Sequence, residues 1–204
     1  MQTPAIDSQL LIPTHELIHG HGEAHPDHRM FGLIIFLIAE GMIFLGLFVA
    51  YGAFRVVAPE WPPAGTPELE LLLPGINTLI LVSSSFVIHN ADTAIKKNNV
   101  KGMQFWFLLT IVMGIIFLFG QLYEYNHTGF GLKDNVFTST FYVLTGFHGL
   151  HVCLGIGAML AVLWRSFKPG HYSPAHHFGI EVAELYWHFV DVIWIVLFLI
   201  LYLL

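Results

Sequence analysis

Apolar residues gather into five long runs, and most polar residues fall between them. The runs cover about 31–57, 71–95, 103–125, 136–164 and 178–204. A helix rises about 1.5 Å per residue, so about 20 apolar residues cross the hydrocarbon core of a bilayer. Every run reaches that length. The pattern predicts an all-α integral membrane bundle of five transmembrane helices, residues 30–204, behind a polar His-rich arm over 1–29. The breaks differ in chemistry. Trp61, Pro62, Pro63 and Pro67 mark the first, and Trp61 suits a membrane interface. Lys96, Lys97, Asn98 and Asn99 mark the second, a polar stretch over 126–135 the third, and Pro169, Gly170 and Pro174 the fourth. Pro74 falls in the first turn of the second helix, where its missing N–H costs little. Gly32, Gly41, Gly46 and Gly52 give the first helix thin faces for close packing.

The fifth run is the least uniform. Glu181, Glu184, His188 and Asp191 are spaced three, four and three apart, which places them on one stripe of a helix. Val182, Leu185, Phe189, Val192, Ile193 and Val196 lie opposite. An ionisable group in hydrocarbon costs a few kcal/mol on insertion scales and more in simulations. The stripe therefore has to face protein, a wet cavity or lipid headgroups. The spacing lets Glu184 reach His188 and His188 reach Asp191.

Composition agrees with the pattern. The chain is 55% hydrophobic and 11% charged, with a mean hydropathy of +0.68, where soluble domains carry about 25% charged residues. One cysteine, Cys153, within an apolar run, excludes a disulfide framework. A formal charge of −6 without a basic patch gives no footing for nucleic acid. The arm lacks an apolar core, so no signal peptide is expected. Its five histidines, His15, His19, His21, His25 and His28, can take up a transition metal but imply no fixed geometry. Arg29, Lys96, Lys97, Lys101, Arg165 and Lys168 fall on one side of the predicted bundle, and Arg55 and Lys133 on the other. The positive-inside rule then predicts a cytoplasmic N-terminus and an outside C-terminus.

The intramembrane polar residues allow three readings. Glu124 and His127 have the Glu-x-x-His spacing of carboxylate-bridged di-iron sites, and His148 and His151 share a face, which together describe a self-contained membrane metalloenzyme. Glu40, Glu184, His188 and Asp191 can line a proton path. Otherwise buried carboxylates and imidazoles, His89 among them, satisfy one another and fix helix register. Arg165 and Lys168, beside Trp164, suit an anionic lipid headgroup at the cytoplasmic surface.

Several blocks resemble subunit III of the haem–copper oxidases, on the cytochrome c oxidase branch. In order they are Ala39-Glu40, Trp61-Pro62-Pro63, Asn77-Thr78, Tyr123-Glu124-Tyr125, Ser139 to Tyr142, Thr145 to His151, His176 to Gly179, and Tyr186 to Trp194. They are spread from Met30 to Leu204, and the match looks closest to short cyanobacterial-type forms. The usual family member has seven helices with a lipid-filled cleft after the second, and the resemblance implies a shorter form without the first two. The resemblance implies a non-catalytic subunit of a proton-pumping enzyme that reduces O2 to water. It implies no haem or copper in this chain, those cofactors belonging to partner subunits I and II, with cytochrome c as electron donor to the complex. It further implies contact with subunit I, bound phospholipid, support of proton uptake, and a carbodiimide-reactive carboxylate at Glu40. A bacterial inner membrane, or a thylakoid membrane, is the matching location. Subunit III of a quinol oxidase or of a nitric-oxide-reductase complex is the neighbouring alternative.

Overall fold

A computed structural model of the chain describes residues 28–67 and 69–204. The expected metal affinity of His15, His19, His21 and His25 falls outside these residues. Five helices follow in order: α1 His28–Val57, α2 Leu72–Lys96, α3 Val100–His127, α4 Val136–Ser166 and α5 Phe178–Phe198, the last continuing into a π-helical turn, Leu199–Leu203. All five are long and apolar enough to cross a membrane.

The boundaries have local causes. The α3 helix begins earlier than the apolar run because the Asn99 side chain accepts from Gly102 N at 2.9 Å and caps it. The preceding turn is tight because Asn98 takes φ +57°, a left-handed conformation that asparagine tolerates. Asn135 and Thr138 form a reciprocal capping box at the start of α4.

The α5 helix is the hub, packing on α4, α2 and α1, while α2 pairs closely with α3 and α3 with α4. Half of the most apolar stretch of α5 is buried inside the protein, against 6% for α1, so α1 is an outrigger. Trp187 and Trp194 of α5 are fully buried. Trp187 sits where Gly114 of α3 and Gly155 of α4 leave room: a Cβ at either glycine would come within 2.7 or 2.8 Å of its ring. The glycines of α1 behave otherwise. Gly41 meets Phe189 at 3.6 Å from a notional Cβ, whereas Gly32, Gly46 and Gly52 have nothing within 4 Å. Their thin faces serve no helix contact among the described residues. The C-terminal end of α1 is held by Tyr51, whose hydroxyl donates to Ile200 O at 3.3 Å and accepts from Trp61 Nε1 at 3.1 Å. Arg55 donates to the Leu204 carbonyl oxygen.

Candidate functional site: a polar seam between α2 and α5

The α2 and α5 helices run antiparallel, and their polar residues meet in rungs. Trp194 Nε1 donates to Thr78 Oγ1 at 2.9 Å, and Trp187 Nε1 to Ser84 Oγ at 2.8 Å. The predicted stripe of α5 faces this contact. Ser85 Oγ–H donates to Asp191 Oδ2. A serine has one hydroxyl proton, so the 3.0 Å contact between Ser85 Oγ and His188 Nδ1 requires the imidazole to donate. On its other side, His188 Nε2 lies 3.5 Å from Glu184 Oε1. His89 Nδ1 approaches the same oxygen at 3.0 Å. Asp191 is 3% exposed, whereas the His89 side chain is 66% exposed. The seam is thus a continuous polar line from a buried carboxylate through Ser85, His188 and Glu184 to a surface imidazole.

One expectation for the stripe changes. Ser85 stands between His188 and Asp191 and links them, in place of the direct reach that the three-residue spacing predicts. Glu181 leaves the seam and pairs with His177, Nε2 to Oε1 at 3.1 Å.

The other candidate residues form separate pairs. His151 Nδ1–H donates to Phe147 O at 2.8 Å, and its Nε2 lies 3.2 Å from Glu40 Oε2. A carbonyl only accepts, so Nδ1 carries a proton. A hydrogen bond at Nε2 then needs one more proton shared with Glu40. The pair is a neutral acid on a neutral imidazole or a carboxylate on an imidazolium, with zero net charge either way. That relieves the cost of placing Glu40 in an apolar helix. Glu124 is buried and accepts from Tyr202 Oη at 2.8 Å and Gln121 Nε2 at 2.9 Å. His127 turns away, exposed, with Nδ1–H donating to Tyr123 O at 2.8 Å and its ring stacked on Tyr123 at 3.9 Å. The Glu-x-x-His spacing therefore brings no ligand pair together. His148 and His151 also diverge. His148 is fully buried between Phe117 and Trp194, and neither of its ring nitrogens has a hydrogen-bond partner.

Arg165 is exposed and lines a cavity of about 560 Å³, together with Arg29, His171, Tyr172, His176, His177 and the carboxylate of Glu181. Lys168 is exposed and lies outside that lining. Burial pushes the Tyr172 hydroxyl above its ordinary value, and the Arg165 charge pulls it back.

Reading the sequence singled out the stripe but not its counterpart. Ser85, His89 and Asp92 are spaced four and three apart, so α2 carries the same signature, and that was the available signal. Tyr202 had none, being one aromatic in an apolar run.

Fold and seam together define a multi-pass helical membrane protein whose buried ionisable groups are answered from neighbouring helices. The sequence matches the family model described as cytochrome c oxidase subunit III over residues 14–204. It is 62% identical over 205 residues to cytochrome c oxidase subunit 3 of Synechocystis sp., covering 100% of this chain and 88% of that one. It is 58% identical over 184 residues to the Thermostichus vulcanus protein of the same name, covering 90% of this chain and 91% of that one. Against the Loxodonta africana protein of that name the identity is 40%, over 84% of this chain and 68% of the relative. The chain belongs to the cytochrome c oxidase subunit III family and is a subunit III of a haem–copper oxidase.

Proposed function

We propose that this chain is an accessory subunit that supports proton supply to, and the lifetime of, an oxidase whose haem and copper lie in subunits I and II. The reaction of the complex would be oxidation of cytochrome c, reduction of O2 to water and proton pumping. The observation that carries the reading is the seam from surface His89 to buried Asp191. Each group in it can pass or hold a proton, and each is fixed by a neighbour on the facing helix. Glu184, His188 and Asp191 would serve that line. Glu40, Glu124, His148 and His151 would act in helix packing, with the neutral Glu40–His151 pair tethering α1. Asp191→Asn in the assembled oxidase tests this. The expected result is an unchanged haem and copper optical spectrum, with a several-fold drop in turnovers before inactivation. A shifted metal-centre spectrum with normal assembly contradicts the accessory role. Unaltered persistence contradicts the proton role.

The six-to-two distribution of Lys and Arg supports a cytoplasmic N-terminus, which a C-terminal reporter active only outside the cytoplasm would check. The cyanobacterial relatives support a bacterial cell membrane or thylakoid location. The cavity at Arg165 supports binding of an anionic phospholipid headgroup there, with Lys168 contributing charge from nearby. Arg165→Ala is expected to remove about one phospholipid per complex, read by lipid phosphorus analysis, and unchanged lipid content would count against it.

A further inference from the structure

We propose that Asp92, His177 and Glu181 form a binding site for one divalent transition-metal ion of the Zn2+ class, where the end of α2 meets the start of α5. One ligand atom from each lies within 4.8 Å of the others. Ligand atoms about 2.0–2.2 Å from a tetrahedral Zn2+ stand about 3.4 Å apart, so side-chain rotation closes the set.

The ligand atoms themselves point to an ion. Asp92 is 4% exposed, and its Oδ1 has no hydrogen-bond partner. Its Oδ2 is held by Lys96 Nζ at 2.5 Å, which leaves Oδ1 as the free oxygen. A buried carboxylate oxygen without a partner costs stability, which an ion would recover. Both ring nitrogens of His177 are buried and lack a directed hydrogen bond, although Nε2 lies 3.1 Å from Glu181 Oε1. His177 precedes α5 without capping it, and Glu181 follows four residues on, so both reach the same side. An imidazole with two carboxylates favours Zn2+ and its neighbours over Mg2+ or Ca2+. Water would complete the fourth position.

A second triangle, His89, Asp92 and Glu184, shares the aspartate. Its His89 and Glu184 already hydrogen-bond each other at 3.0 Å within the seam. In the first triangle His177 and Glu181 also approach each other, at 3.1 Å, but without a directed hydrogen bond, and Asp92 Oδ1 and both His177 ring nitrogens stay without a hydrogen-bond partner. An ion there would clamp α2 to α5 at the membrane surface.

The test is Zn2+ titration of the full chain in detergent micelles, with His15, His19, His21, His25 and His28 changed to Ala so that the arm cannot compete. One Zn2+ per chain is expected. His177→Ala or Glu181→Gln should weaken binding by more than the about 10–100-fold that loss of an outer-shell partner costs, and His89→Ala should leave it in place. Failure to bind Zn2+ in the parent, or binding that survives loss of both His177 and Glu181, overturns the proposal. So does binding lost with His89→Ala but kept with His177→Ala. If His177→Ala unfolds the chain, His177→Cys with Co2+ decides. A thiolate-to-cobalt charge-transfer band supports direct ligation, and its absence overturns it.

Discussion

Glu40 shows how the bundle accommodates a carboxylate in a helix that carries no other charge between Arg29 and Arg55. Its partner His151 has one nitrogen committed to a carbonyl, so the Glu40–His151 contact requires a shared proton. Glu40→Gln preserves a donor toward Nε2 and should leave the thermal midpoint in detergent nearly unchanged. Glu40→Leu strands a buried imidazole nitrogen, which should cost about 1–3 kcal/mol. Equal destabilisation by both would show that charge, not the hydrogen bond, holds the pair. The sequence shows Glu40 as a carboxylate inside an apolar run, where the cost of an ionisable group in hydrocarbon calls for a polar neighbour. It could not name His151, because the pairing depends on how α1 leans on α4. His148 was equally conspicuous in the sequence, yet it is buried among rings with no hydrogen-bond partner. Spacing alone did not separate these two histidines.

At the scale of elements, the five helices were legible because each run is apolar for longer than a membrane is thick. Their ends were less so. Asn99 caps α3 ahead of the apolar run, and α5 finishes in a π turn that no hydrophobic pattern announces. Helix pairing was the least accessible level. Trp187 reaches Ser84, and its ring fills the space left by two glycines on different helices, a match that lies in three-dimensional shape. The glycines that attracted notice in the sequence were those of α1, yet Gly114 and Gly155 carry the close packing. Gly155→Val should overpack this junction and cost about 1–3 kcal/mol, read as a lowered midpoint of thermal unfolding in detergent. Gly46→Val, open on every side, is the control and should be neutral within this chain. Equal losses from both would contradict the wedge.

For the molecule as a whole, the seam and the hub coincide. The helix most enclosed by its neighbours also carries the ionisable stripe, so polar groups that hydrocarbon would reject lie inside the bundle. The α1 helix is the opposite case, barely enclosed, with Phe31, Ile38, Met42 and Val49 exposed. An apolar surface of that extent is covered by lipid or protein in a membrane, and an oxidase assembly supplies both. In the proposed function the chain is one part of that assembly and not a metalloenzyme by itself. The most direct measurement is to isolate the tagged chain from native membranes in mild detergent and assay iron and copper before and after partner subunits are stripped away. Haem iron and copper should co-purify with the assembly and leave with the partners. Stoichiometric iron or copper retained by the isolated chain would contradict the account, as would a chain that never co-purifies with a haem protein.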